Sequence, residues 1–182
     1  MSRTLLVWAL FAAALLVPAR AFADPAGDFA KVIEAFQQAK SWHADEHFSN
    51  GRTVKVDYVA PDRWRVQPTP KITELVIGKD VYMVRNGHAT RLPFGGGMIR
   101  KMIRKLSTGR MTDEIRQSLR DLGMQTLNGK RVHVYSYTSQ KIPETVYIGA
   151  GHLPVQVVMH DKKHPATITY SKFNAPITIE QP

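Results

Sequence analysis

The 182 residues contain no cysteine. Disulfide staples and thiol chemistry are therefore excluded, and stability rests on burial alone. The chain also has no Gly-x-Ser-x-Gly elbow, no His-Glu-x-x-His pair and no Gly-x-x-x-x-Gly-Lys-Ser/Thr loop. The commonest sequence signatures of hydrolases, zinc peptidases and nucleotide-binding enzymes are thus missing. Neither an enzyme nor a cofactor is expected. Gly95-Gly96-Gly97 runs into Met98 with no Lys-Ser or Lys-Thr behind it, so it reads as a hinge rather than a phosphate cradle. Repeats, low-complexity tracts and interdomain linkers are absent too. Acidic residues are scarce, with 15 Asp and Glu against 25 Lys and Arg and a net charge of +10. Such a balance favours anionic partners, an anionic membrane surface among them. In an exported protein nucleic acid ranks last, and none is expected.

The long apolar run Leu5–Val17 follows Arg3 and ends at Pro18, too short to span a bilayer comfortably. Ala21-Phe22-Ala23 matches a small-residue cleavage pattern. Residues 1–23 read as a secretory signal peptide cut between Ala23 and Asp24, with no cysteine near the cut to carry a lipid. A periplasmic product is expected. Losing Arg3 and Arg20 takes the charge from +10 to +8, still strongly basic. Residues 24–182 are comfortable for a single domain with one core.

Asp24–Lys40 carries helix signals: Pro25 at the first helical position, Asp28 in the first turn, and Phe29, Val32, Ile33 and Phe36 on one stripe. Ser41–Phe48 reads as a strand with Trp42, Ala44 and Phe48 on one face. Val54–Pro93 then alternates as successive short strands. Val54, Val56 and Tyr58 alternate with Lys55 and Asp57, and Trp64 and Val66 share a side. Ala60-Pro61-Asp62 marks a turn, Pro68 and Pro70 bracket a connection, and Asn86-Gly87 is a hairpin signal. Antiparallel strands joined so tightly leave an apolar face that something must cover.

After Pro93 the spacing predicts a helix over Met98–Leu106. Met98, Ile99, Met102, Ile103 and Leu106 form its apolar stripe, and Arg100, Lys101, Arg104 and Lys105 its basic face. A second helix is expected from Thr112, an N-cap, with Ile115, Leu119 and Leu122 on one side and Gly123 ending it. The remainder returns to strands at Met124–Leu127, Arg131–Ser139, Thr145–Ile148, Leu153–Met159 and Thr167–Phe173, with a turn at Asn128-Gly129. Nine to eleven strands and three helices make a mainly β, α+β fold. An antiparallel sheet of that size curls, so the expected architecture is a strongly curved sheet or incomplete β-barrel with a helical lid.

Two histidine clusters test the metal-site alternative. His43, Asp45 and His47 share a strand face, but at ~3.3 Å per residue the two imidazoles stand about 13 Å apart, so a polar solvent face is the expected role. His160, Asp161 and His164 fall in a turn. The basic helix is more informative. Its methionines suit a surface that repacks around apolar guests, and each outward cation adds about 1 kcal/mol near an anionic lipid surface.

The stretch Tyr58-Val59-Ala60-Pro61-Asp62-Arg63-Trp64-Arg65-Val66, with Leu75–Asp80 and Val81–Leu92, resembles the LolA-like family of periplasmic lipoprotein carriers. Val146-Tyr147-Ile148, Gly151-His152-Leu153-Pro154-Val155 and Ile168–Pro176 are similar too. The likeness covers essentially the whole chain after residue 23, in strand texture and turn placement. It implies an incomplete antiparallel barrel with a helical lid over an apolar cavity that carries acyl chains toward the outer membrane. Relatives of the same fold bind other lipids or act as sensors. The carriers place an arginine before the proline matching Pro61, where it holds the lid. Here that residue is Ala60, leaving Arg63 and Arg65 as the nearest candidates for the role.

The expected function is a soluble carrier of lipid or lipoprotein acyl chains, with inner- or outer-membrane transport components as partners. Tyr58, Trp64, Val66 and Met83 are the expected cavity residues from the sheet, and Met98, Met102 and Ile103 those from the lid. Arg100, Lys101, Arg104 and Lys105 are the expected docking face. The alternative is a sensor or adaptor of the same fold that docks an anionic envelope partner through that basic helix.

Overall fold

The computed structural model describes residues 24–93 and 111–182. The expected signal peptide and the expected helix Met98–Leu106 lie outside them. Helix α1 (Pro25–Gln38) starts where Pro25 fixes the first turn and the Asp24 side chain accepts the Ala26 N–H at 3.1 Å, satisfying a donor left free at the helix start. Its apolar stripe buries Phe29 and Val32. Eleven strands follow: β1 (Ser41–Phe48), β2 (Thr53–Val59), β3 (Arg63–Thr69), β4 (Ile72–Ile77), β5 (Asp80–Arg85), β6 (His88–Arg91), β7 (Arg120–Leu127), β8 (Lys130–Ser139), β9 (Ile142–Ile148), β10 (Pro154–Met159) and β11 (Ala166–Ser171). A short helix, α2 (Asp113–Ser118), precedes β7. Among the described residues no helix is long and apolar enough to cross a membrane.

All strands join one antiparallel sheet in the order β6-β5-β4-β3-β2-β1-β11-β10-β9-β8-β7. The chain steps outward from β1 to one edge at β6. It re-enters at the opposite edge with β7 and steps back until β11 pairs with β1. The sheet is curved and unclosed, and β6 and β7 form its edges. Tight turns set the register: Asn86 and Gly87 both take positive φ (53° and 80°), as do Asn128 and Gly129 (50° and 76°), the geometry of the mirror-image turns that match strand twist.

Register aligns Trp42, Tyr58, Trp64, Val76 and Val81 in one row across β1–β5. This row packs under the end of α1, where Phe36 stacks on Trp42 with ring centroids 5.5 Å apart. In the other half, Phe29 and Val32 pack on Tyr135, Val146, Ile148 and Val157. One helix thus covers the concave face of both halves.

Three expectations are corrected. The second helix ends at Ser118, not near Gly123, and Leu122 lies in β7, 47 % exposed. Gly123 (φ +75°) sits where the β7–β8 register shifts, with its N–H donating to Asp121 Oδ1 at 2.7 Å. Its left-handed backbone serves a bulge rather than a helix cap. Pro68 lies inside β3, at the register irregularity between Val66 and Thr69, where no N–H is required. Finally, the sheet is apolar on both faces over β4 and β5. The C-terminal tail lays Ile177 and Ile179 against Leu75, Tyr82, Val59, Ile77 and Val84 on the convex side.

Candidate functional site

A cavity of about 370 Å³ opens between α1 and the concave face of β8–β11. Helix α1 contributes Phe29, Val32, Ile33 and Phe36 to its wall, and α2 adds Ile115. The strands add Ile142, Val146, Val157, Met159 and Ile168. At ~30 Å³ per molecule the space equals about a dozen waters, within the range of ligand pockets. Ser139 and Gln140, from the turn end of the β8–β9 hairpin, also line it.

The hairpin is held in place from α2. Thr112 caps that helix by accepting the Ile115 N–H at 3.2 Å. Glu114 accepts the backbone N–H groups of Gln140 and Lys141, and Ser118 Oγ accepts that of Thr138 at 2.8 Å. Gln140 and Lys141 both adopt positive φ (52° and 66°), so a carboxylate anchors the turn that borders the cavity.

Three titratable side chains face the space: Tyr137, Glu144 and Tyr170. Tyr137 and Glu144 are cross-strand partners on the concave face. Burial raises the Glu144 carboxyl above its ordinary value, and the neighbouring Tyr137 phenol offsets part of that rise. Burial, then the Glu144 charge, pushes the Tyr137 phenol well up, and Tyr170 rises for the same two reasons. Glu46, on the same face in β1, is also raised by burial, with Arg52 opposing.

Of the expected cavity residues, Tyr58 and Trp64 meet in an aromatic cluster with ring centroids 4.6 Å apart, and Trp42 lies 5.3 Å from Trp64. Val66 and Met83 lie on the same face one row away, linked through Glu74. The structure thus puts all four on the concave face, but none lines the 370 Å³ cavity. Tyr58 and Trp64 instead pack in the half-barrel core. Met98, Met102 and Ile103, and the basic Arg100, Lys101, Arg104 and Lys105, lie outside the described residues.

Arg63 and Arg65 are turned to the convex side. Arg63 Nη1 donates to the Ile179 carbonyl at 2.8 Å, and Arg65 pairs with Asp57 at 2.8 Å and reaches the Thr178 carbonyl. Both therefore fasten the C-terminal tail. His43 Nδ1 lies 2.7 Å from Asp57 Oδ1, while His47 meets Thr53 Oγ1 and His160 meets Thr145 Oγ1. Asp161 accepts the Lys163 N–H, which holds its carboxyl below the usual range. Among the described residues no group of three or more His, Cys, Asp or Glu is placed to hold a metal ion.

The cavity residues missed from sequence lie on β8–β11. Ile142, Glu144 and Val146 alternate with Pro143 and Thr145, so the period was visible. The neighbouring strand gave no indication of which side faced in, because Val132 and Val134 on one face of β8 are as buried as Tyr135 on the other.

No protein-family model and no curated protein sequence matches the chain. Solved structures do. Mycobacterium tuberculosis lipoprotein LppX superposes with a TM-score of 0.63 at 15 % identity, over 86 % of this chain and 98 % of that one. LprF from Mycobacterium bovis gives 0.59 at 17 % identity, over 87 % and 96 %. These likenesses are of fold. The unclosed, curved antiparallel sheet is the LolA-like half-barrel that the sequence resembles.

Proposed function

We propose that this protein is a cell-envelope carrier that shields lipid or lipoprotein acyl chains in the cavity between α1 and β8–β11, for transfer toward the outer membrane. The observation that carries the reading is the cavity itself: about 370 Å³ walled mainly by aliphatic and aromatic side chains on a half-barrel. Burying a methylene contributes about 0.8 kcal/mol. About ten buried methylenes therefore supply ~8 kcal/mol, in the range of micromolar affinity, with no polar motif required. The apolar run at residues 5–17 and the fold shared with a mycobacterial lipoprotein support the envelope setting.

The test is saturable uptake of N-phenyl-1-naphthylamine, a neutral probe that brightens in apolar surroundings. One site of micromolar affinity is expected. Ile142→Glu, which puts a charge at a partly exposed position of the wall, should weaken uptake at least tenfold while the circular dichroism spectrum is retained. Unchanged uptake by a folded I142E would contradict the assignment of this cavity.

A further inference from the structure

The cavity wall is apolar, but its polar groups are not a random sample of a basic protein. Glu144 and the phenols of Tyr137 and Tyr170 face the space, and no Lys, Arg or His is among the described residues that line it. The chain as a whole carries +10. The described lining of the site therefore has the opposite charge from the chain as a whole.

Glu144 is fixed from both sides. It opposes Tyr137 on β8 and Met159 on β10, so the Tyr137 phenol is the polar group across from it. Met159 offers it no partner of comparable strength, and α1 presents only Phe29, Val32, Ile33 and Phe36 to the cavity. A carboxyl has about four lone-pair sites, so one phenol leaves acceptor capacity over. A guest head that donates hydrogen bonds, and above all a cationic one, satisfies that capacity. A guest anion meets a carboxyl, two phenols and, among the described lining residues, no cation, in surroundings where charges are poorly screened. Burial already raises the Glu144 carboxyl and so opposes a second negative charge beside it.

We propose that Glu144 is a specificity-determining residue of the cavity, which selects amphiphiles whose buried head donates hydrogen bonds and carries no negative charge, amines first and alcohols next. This inference rests on the carrier reading and names the class of guest. It runs against the net charge of the protein, which on its own favours fatty-acid anions.

The experiment is competitive displacement of N-phenyl-1-naphthylamine from the protein at pH 8 by three amphiphiles of equal chain length: dodecylamine, dodecanol and dodecanoate. Dodecylamine is expected to displace the probe at concentrations at least tenfold below dodecanoate, with dodecanol between them. Glu144→Gln should remove most of the amine's advantage and improve dodecanoate binding. Glu46→Gln, on the same face but outside the cavity wall, should leave the ranking unchanged. Dodecanoate equal to or better than dodecylamine overturns the proposal, as does an E144Q variant that keeps the wild-type ranking. If E144Q does not fold, the wild-type ranking alone decides. Uptake of the probe with no preference among the three sinks the proposal and leaves the carrier reading standing; no uptake of the probe or any competitor overturns both.

Discussion

Glu114 Oε1 accepts the backbone N–H of Lys141 at 2.9 Å, and its other oxygen accepts that of Gln140 at 2.8 Å. One carboxylate on α2 thereby fixes the turn of the β8–β9 hairpin beside the candidate cavity. Hydrogen bonds to a charged group contribute about 1.5–3 kcal/mol each when well shielded. These are exposed, so Glu114→Ala is expected to cost about 1–2 kcal/mol in urea unfolding. It should also speed amide exchange at Gln140 and Lys141. Glu114→Gln, keeping one acceptor, should lose less. An E114A variant with unchanged midpoint and exchange would show that the clamp is ornamental.

The aromatic row separates folding from binding. Trp64 is buried against Trp42 and Tyr58 and does not line the cavity. Trp64→Ala is expected to cost about 3–5 kcal/mol, whereas Trp64→Phe should fold and keep its probe affinity within about twofold, a ratio on the order of 0.4 kcal/mol. Thermal melts and probe titrations on the two variants check this.

The tail on the convex face is a structural strap. Ile179 is 2 % exposed, its carbonyl accepts from Arg63, and Gln181 Nε2 donates to the Tyr82 hydroxyl at 2.7 Å. Ile179→Ala is expected to cost about 2–4 kcal/mol, in the range for large-to-small core changes. Tyrosine fluorescence and a denaturant midpoint read the loss. A cost below about 0.5 kcal/mol, as for an ordinary surface site, would place Ile179 outside the core.

The buried carboxyls set a pH dependence of known sign. Glu144 and Glu46 are both raised by burial, so in this respect the folded state binds more protons than the unfolded one. Stability contributed by the neutral forms is complete below the unfolded value near 4.5 and falls as pH rises through the folded value. Glu144→Gln cannot ionise. Relative to wild type, it should be more stabilising, or less destabilising, at pH 7 than at pH 4. Paired melting curves at the two pH values test this, and the opposite sign would mean that Glu144 is better solvated than its position implies.

Much of the fold was legible before the structure. Helix α1, its opening proline and its stripe, strand β1 to the residue, and the Asn-Gly turns followed from local chemistry that nothing distant overrides. The eleven strands among the described residues fall within the expected range. The second helix was overextended because Leu119 and Leu122 keep helical spacing, while pairing with β8 claims the chain from Arg120 onward. The site was less legible. Trp64 and Tyr58 were placed on the concave face, but a row of large aromatics fills its own space, and the open volume lies where smaller aliphatics face α1. Nothing in the local pattern of Ile142–Val146 reveals that vacancy, because it depends on how α1 crosses strands far away in sequence. The tail over Leu75 and Tyr82 could have been suspected from the unbroken run Leu75-Val76-Ile77, which an exposed convex face does not support.

The most direct test is the lipid content of the protein purified from cells without detergent, weighed intact by native mass spectrometry and extracted with organic solvent in parallel. A bound lipid or acylated peptide at close to one per chain, lost in I142E, is the expected result. A protein that arrives empty and stays empty when offered lipid would contradict the carrier reading at its root.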